Sequence, residues 1–208
     1  MLKVWDIPIR IYHWVQGILF IGLALSGFGL FGSEVLHERF GVVLAILILW
    51  RIGWGFIGSD TSQFKNFAPS IKQLQNYIKG NEQQYVGHNP LGGLMVFLML
   101  TLLFSQALSG IAISELVDSK AIFERQTIKF LKSVHEMNAL ALIVVINMHI
   151  FAILLYNLNG KPLLMAMITG YKKSKITAIP LYFASIGKAC GLLAISTIAI
   201  IFILKLMS

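Results

Sequence analysis

Residues 135–149 read HEMNALALIVVINMH, an apolar stretch with a histidine at each end. The two histidines are 14 residues apart, which in an α-helix is within about 40° of four full turns and spans about 21 Å along the axis. They therefore face nearly the same way at opposite depths of a membrane-crossing helix. An imidazole in hydrocarbon needs a partner, because an unsatisfied polar group is costly there. The stretch predicts two ligand positions, one near each side of a bilayer.

The composition indicates an integral membrane protein. Of the 208 residues, 57% are apolar and 12% are charged, whereas about a quarter of the residues of a soluble domain are charged. We expect an all-α membrane helical bundle, with a four-helix core at 1–173 and an additional C-terminal transmembrane helix at 174–208. Apolar runs of roughly the 20 residues needed to cross a bilayer predict five spans, at Tyr12–Phe31, Phe40–Ile57, Leu91–Ser114, Asn138–Leu158 and Ile186–Leu206.

The charge pattern predicts the orientation. The formal net charge is +8, and because Lys and Arg mostly flank the apolar spans, it indicates topology and anionic lipid rather than nucleic acid. With the N-terminus in the cytoplasm, nine of these cations lie in inner segments and six in outer segments, as the positive-inside rule favours. We therefore expect a cytoplasmic N-terminus and an outer C-terminus. The outer loop at 115–136 is amphipathic and predicts a helix lying at the membrane surface.

Two further histidines lie at depths that match the opening pair. His13 is at the inner end of span one, where span four places His149, and His37 is at the outer start of span two, at the depth of His135. Two six-coordinate haems need four axial ligands, so the pattern predicts an inner haem between the first pair and an outer haem between the second. Cys190 is the single cysteine, which excludes the Cys-x-x-Cys-His attachment of a c-type haem. Both haems would be held without covalent links.

Residues around these ligands repeat the 14-residue spacing. Gly27 follows His13 by this interval and would leave bare backbone at the outer level. Arg51 follows His37 by the same interval and places a guanidinium at the inner level, where the propionates of a haem would pair with it. A flat macrocycle needs room beside its ligands. Two more glycines lie one turn after a ligand and on its face, Gly17 and Gly41.

Alternatives stay open for several of these residues. A structural zinc ion would need a closed set of four ligands at one depth, which these histidines do not supply. His88, in GHNPLGG before span three, is interpreted as a loop-ordering or propionate-contacting residue rather than an axial ligand. Arg51 can instead snorkel to the interface, and the glycines can serve close helix packing. Lys188 can snorkel, contact a propionate or mark the start of a helix.

Five ordered motifs resemble the bacterial cytochrome b561 / nickel-hydrogenase b-type cytochrome family. They are VWDIPIRIYHW with the following LSGFG, WRIGWGFIGS, GHNPLGGLMVF, HEMNALALIVVINMHI and MITGYKK. The resemblance covers about residues 4–173 and leaves the fifth span outside the shared core. The family, like the similar membrane subunit of formate dehydrogenase-N, holds two non-covalent b haems between four helices. The resemblance implies the same histidine pairs that the depths predict.

The resemblance also implies a function and a set of partners. We expect a dihaem cytochrome b of the bacterial inner membrane that links a periplasmic redox partner, either a c-type cytochrome or a metalloenzyme subunit, with the quinone pool. Quinone is expected near the inner haem, and the partner near Ser33–Arg39 and the 115–136 loop. The sequence leaves open whether the chain is an enzyme by itself, which partner it serves, and whether two copies form a homodimer.

Two functions of other classes compete with electron transfer. A transporter or channel could use the histidines to relay protons or bind metal, and such a protein would be colourless. A non-redox anchor could hold a partner enzyme in the membrane, and electron flow to quinone would then not depend on His149.

Overall fold

The structure is a computed structural model, and it describes residues 1–81, 85–114, 116, 122–173 and 180–208. Within these ranges the chain is a bundle of long helices with a short two-stranded sheet at one end. The expected all-α membrane bundle is confirmed, and five of its helices are long and apolar enough to cross a membrane. The predicted division at 173/174 adjoins residues 174–179, which lie outside the described residues.

The helices of the described residues are numbered in chain order. They are α1 Ile7–Gly27, α2 Glu34–Ile57, α3 Phe64–Phe67, α4 Ile71–Ile78, α5 Pro90–Ile113, α6 Arg125–Leu158, α7 Leu163–Thr169 and α8 Ile186–Met207, with a 3-10 turn at Asp60–Ser62. The candidate spans are α1, α2, α5, α6 and α8.

Side-chain caps fix where four of the five spanning helices begin, namely α1, α2, α5 and α8. Asp6 accepts from the backbone N–H of Ile9, and Asn89 accepts from that of Gly92. Ser33 and Ser185 play the same part for α2 and α8. Each cap satisfies a backbone donor that the first turn leaves without an intrahelical partner. As a result α1 and α2 begin five or more residues before the apolar runs, and the turn between them is residues 28–33.

The fourth span differs from expectation on its outer side. Residues 125–136 do not form a separate helix on the membrane surface, because α6 runs unbroken for 34 residues, or about 51 Å. The hydrocarbon core is about 30 Å thick, so α6 extends beyond it. The physical reason is that the sequence from Arg125 to Leu158 contains neither Gly nor Pro, the residues that end or kink helices. Residues 115 and 117–121 of the predicted loop lie outside the described residues.

Helix α2 is at the centre of the packing. It packs against α1, α5 and α8, while α5 also packs along α6. One buried cluster surrounds the C-terminal half of α2 and includes Tyr12, Trp50 and Trp54. A second surrounds its middle and includes Ile48, Leu103 and Leu142. The fold is therefore two hairpins, α1–α2 and α5–α6, joined where α2 meets α5.

The N-terminus is clamped to the segment that follows α7. Strand β1, Leu2–Lys3, pairs antiparallel with β2, Tyr171–Lys172. The backbone N–H groups of Val4 and Trp5 both donate to the carbonyl of Gly170, at 2.7 and 3.2 Å. Arg10 adds donors to the last carbonyls of α7. This clamp holds the start of α1 against the chain that leaves α6.

We predict that Gly170→Ala destabilises the protein more than Gly160→Ala. Both glycines have positive φ, +87° and +71°, so each alanine costs about 1–2 kcal/mol of backbone strain. At Gly170 the new Cβ would also lie 2.9 Å from the backbone oxygen of Trp5, whereas at Gly160 it would meet nothing within 4 Å. Thermal unfolding in detergent measures the difference, and equal midpoints for the two variants would contradict the clamp.

Candidate functional site

The inner histidine pair joins α1 to α6. His13 lies two turns after the Asp6 cap of α1, and His149 lies near the inner end of α6. Their ring centroids are 6.4 Å apart and their planes meet at 55°. The structure thus brings together two residues that are 136 positions apart in the sequence, at the depth where the helical rise places them.

The outer pair joins α2 to the same helix. His37 lies in the first turn of α2, and His135 lies 14 residues before His149 on α6. The two ring centroids are 6.3 Å apart and the planes meet at 79°. Both sequence-predicted pairs are therefore neighbours, and α6 contributes one imidazole to each.

These centroid distances fit a metal between the rings. A metal–nitrogen bond to histidine is about 2.0 Å long and the nitrogen lies about 1.2 Å from the ring centre, so imidazoles on opposite sides of one metal ion have centroids about 6.4 Å apart. A direct N···N hydrogen bond of about 2.9 Å would bring the centroids to about 5.3 Å. Across the part of the chain that the structure describes, no three His, Cys, Asp or Glu residues gather as a metal site. Two imidazoles per level suit a haem, whose macrocycle supplies the other four ligands.

Glycines lie beside three of these four histidines, His13, His37 and His135. A Cβ on Gly27 would be 3.2 Å from Cε1 of His37, and one on Gly110 would be 3.0 Å from Cε1 of His135. Bare backbone at these positions lets each ring approach a neighbouring helix. A Cβ on Gly17 or Gly41 would meet no heavy atom within 4 Å. The helix surface one turn from His13 and from His37 is therefore smooth, as a flat macrocycle requires.

The structure adds polar partners of the outer pair that the sequence reasoning missed. Ser26 Oγ lies 2.9 Å from Nδ1 of His37, and Ser109 Oγ lies 3.1 Å from Nδ1 of His135. The amide nitrogen of Gln106 lies 3.1 Å from Nε2 of His135, so ligation through that atom requires the amide to turn aside. A repeat in the sequence could have indicated the two serines, because Ala-Leu-Ser-Gly occurs at both 24–27 and 107–110.

Arg51 is buried at the inner level, with 3% of its surface exposed. Of its five N–H donors, Nη1 donates to the carbonyl of Ser62 at 3.3 Å, and the guanidinium lies 5.1 Å from the ring centre of Phe64. Nearby, Tyr12 Oη and Ser62 Oγ are buried without a hydrogen-bond partner. A burial of this kind does not fit snorkelling to the interface. It leaves donor capacity for an anionic group, which suits the predicted propionate.

His88 lies between two aromatic rings beside the inner pair. Its ring centroid is 4.8 Å from that of Trp5 and 4.5 Å from that of Phe67. Burial and, next, the charge of Arg51 lower the pKa of His88 to about 3, and His149 and His13 are close enough to contribute. His88 is therefore neutral at physiological pH, and its Nδ1 is buried without a partner.

The remaining sequence-predicted candidate is placed at a helix start. Lys188 lies in the first turn of α8, where its backbone N–H donates to Ser185 Oγ. Its exposed side chain donates from Nζ to Tyr182 Oη at 3.0 Å. The structure therefore places Lys188 at the start of a helix, one of its three predicted roles.

The sequence is similar to known proteins over most of its length. The sequence model of the family described as "Prokaryotic cytochrome b561" matches residues 4–170. A relative from Rhizobium leguminosarum bv. viciae, named "Probable Ni/Fe-hydrogenase B-type cytochrome subunit", is 26% identical over 140 residues, which are 53% of this chain and 58% of the relative.

Two further relatives carry the same name. The relative from Azotobacter vinelandii is 26% identical over 122 residues, covering 45% of this chain and 51% of the relative. The relative from Rhodobacter capsulatus is 19% identical over 213 residues, covering 83% and 81%. In the first two matches the chain spans about half the length of the relative.

We predict that Gly17→Ala lowers the haem content of the purified protein. The added methyl group would stand on the smooth surface one turn from His13, where it would obstruct a macrocycle. Gly191→Ala is the matched control, since a Cβ there also meets nothing within 4 Å and alanine is about 1 kcal/mol more favourable than glycine in a helix. Haem content is measured per mole of protein. Equal haem content in both variants would contradict a macrocycle lying against Gly17.

Proposed function

The chain belongs to the prokaryotic cytochrome b561 family, and on that basis we propose that it binds two b haems and carries electrons between a periplasmic redox partner and quinone. The observation that carries the proposal is the pair of centroid distances, 6.4 and 6.3 Å, on one helix that crosses the membrane. A haem held by two imidazoles exchanges single electrons and offers oxygen no free coordination position.

Each histidine pair holds one haem in this proposal. His13 and His149 would hold the iron of the inner haem, and His37 and His135 would hold that of the outer haem. The buried guanidinium of Arg51 binds inner-haem propionates, because a charge-assisted pair with carboxylate would use the donors that the protein leaves free. Gly17 and Gly41 give each macrocycle room, and Gly27 lets His37 approach α1.

The orientation follows from the charge bias. We place the N-terminus in the cytoplasm and the C-terminus in the periplasm, since inner segments carry the larger number of Lys and Arg residues. The inner haem then lies toward the cytoplasm of a bacterial inner membrane. An electron that moves between the two levels against or with the membrane potential costs or yields at most about 2.3 kcal/mol per 100 mV, the value for crossing the whole membrane.

Quinone binds near the inner pair in this proposal. A cavity of about 360 Å³ opens beside His88 and Gly87 of the GHNPLGG turn and is also lined by Thr61, Lys65 and Phe67. This volume suits a small ring, and its lining combines an aromatic wall with polar groups. The neutral imidazole of His88 lines this cavity and is also close enough to Arg51 to be affected by its charge.

The partner docks on the outer side. Helix α6 continues beyond the hydrocarbon region there, with the cations Arg125, Lys129 and Lys132 on its first two turns. Residues Ser33–Arg39, which contain His37, lie on the same side of the bundle, next to His135. The relatives are named as hydrogenase subunits, which favours a metalloenzyme subunit over a c-type cytochrome as the partner.

We predict two b haems per chain, which a pyridine haemochrome assay of the purified protein measures. His13→Ala and His149→Ala should each lose the inner haem, and His37→Ala and His135→Ala the outer haem, so that each variant keeps one. His88→Ala should keep both. A colourless preparation would instead support a transporter or channel, and losses that do not pair in this way would refute the ligand assignment.

We also predict that His149→Ala abolishes electron transfer to quinone. The test reduces the purified protein, mixes it with a short-chain quinone and follows haem reoxidation by stopped-flow absorbance. In this variant the outer haem should stay reduced, because its route to quinone passes the inner level, whereas Gly191→Ala should behave as the unmodified protein. An unchanged rate in His149→Ala would support the non-redox anchor.

A further inference from the structure

Two copies of the same four-residue sequence contact the outer histidines in the same way. In Ala-Leu-Ser-Gly at 24–27, the serine contacts Nδ1 of His37 at 2.9 Å and the glycine lies under its Cε1. In Ala-Leu-Ser-Gly at 107–110, the serine contacts Nδ1 of His135 at 3.1 Å and the glycine again lies under Cε1. Each copy sits on the first helix of a hairpin, α1 or α5, and serves the second helix, α2 or α6.

The direction of the hydrogen bond follows from the other contacts of each hydroxyl. Ser26 Oγ lies 2.8 Å from the carbonyl oxygen of Gly22 and 3.2 Å from that of Leu23. Carbonyl oxygens only accept and a hydroxyl has one proton, so Ser26 donates to the helix backbone. It can then only accept from His37, whose Nδ1 must carry the proton.

The same argument holds for the second copy. Ser109 Oγ lies 2.8 Å from the carbonyl oxygen of Ser105 and 3.2 Å from that of Gln106. Asn138 donates to Oε1 of Gln106 at 2.6 Å, which turns the Gln106 amide nitrogen, a donor, toward Nε2 of His135. Two independent contacts thus assign the proton of His135 to Nδ1 and the lone pair to Nε2.

We propose that Ser26 and Ser109 are positioning residues that fix the tautomer and ring orientation of His37 and His135, so that each presents Nε2 to the outer haem iron. This inference rests on the proposed ligand role of the outer pair. A hydrogen bond from the free ring N–H of a metal-bound histidine orients the ring and makes it a stronger donor. The inner level differs, because Nδ1 of His13 is buried without a partner.

The consequence is specific to one haem. Stronger donation by the ligands stabilises the oxidised iron, so the two serines lower the midpoint potential of the outer haem. Ser26→Ala and Ser109→Ala should each raise that potential and leave the inner one unchanged. Because the ring planes at 79° would be free to rotate, the largest g value of the outer haem in the electron paramagnetic resonance spectrum should also change.

The experiment is a redox titration and low-temperature spectrum of the holoprotein in detergent. Ser26→Thr and Ser109→Thr keep a hydroxyl that can back-bond in a helix and should restore the original potential and g value. Thr101→Ala is the matched control, since Thr101 donates to the i−4 carbonyl of α5 at 2.9 Å and is exposed. It should move neither signal.

Each outcome separates this inference from the proposed function. An unmodified protein without haem refutes the proposed function. Two haems whose potentials are unmoved by either alanine variant, or moved as much by Thr101→Ala, refute the positioning role alone. If an alanine variant loses the outer haem, recovery in the threonine variant supports the role, and loss in the threonine variant as well refutes it.

Discussion

Helix α6 is the rigid element on which the arrangement depends. Its hydrogen-bonded backbone fixes the spacing between His135 and His149 at about 21 Å, and no glycine or proline interrupts it. The other two histidines then have to come to α6 at two fixed levels. Helix α1 brings His13 to one level, and the turn at 28–33 returns the chain so that α2 brings His37 to the other.

Packing explains how these levels are kept without extensive contact between α6 and the first hairpin. Helix α6 packs along α5, and α5 packs on α2. The contact between α2 and α5 therefore fixes the position of the α5–α6 hairpin relative to the α1–α2 hairpin. The buried residues Ile48 on α2, Leu103 on α5 and Leu142 on α6 meet in one cluster between the two levels. The residues of this cluster are apolar, so an apolar layer lies between the histidine pairs.

Depth and span count were predictable from the sequence, whereas rotation and loop contacts were not. The pairing of His13 with His149 follows from helical rise alone. The contact of Ser26 with His37 depends on the rotation of α1 about its axis, which rise does not determine, although the repeated Ala-Leu-Ser-Gly marks the place. The partner of Arg51 is the carbonyl of Ser62, in the short 3-10 turn that follows α2. The predicted surface helix is wrong over 125–136, because an amphipathic pattern does not end a helix that contains neither glycine nor proline between 125 and 158.

The fifth helix acts on the inner level through α2. Trp50 donates its indole N–H to the carbonyl of Ala189 at 3.0 Å, and its ring stacks between those of Tyr12 and Trp54, at 5.3 and 5.2 Å. Arg51 is the next residue on α2. Two further bonds tie the segment before α8 to the end of α2, from the backbone N–H of Ala184 to Ser59 Oγ at 3.0 Å and from that of Tyr182 to Asp60 Oδ2 at 2.7 Å. Helix α8 thus supports the aromatic stack on α2, in the part of the helix that carries Arg51.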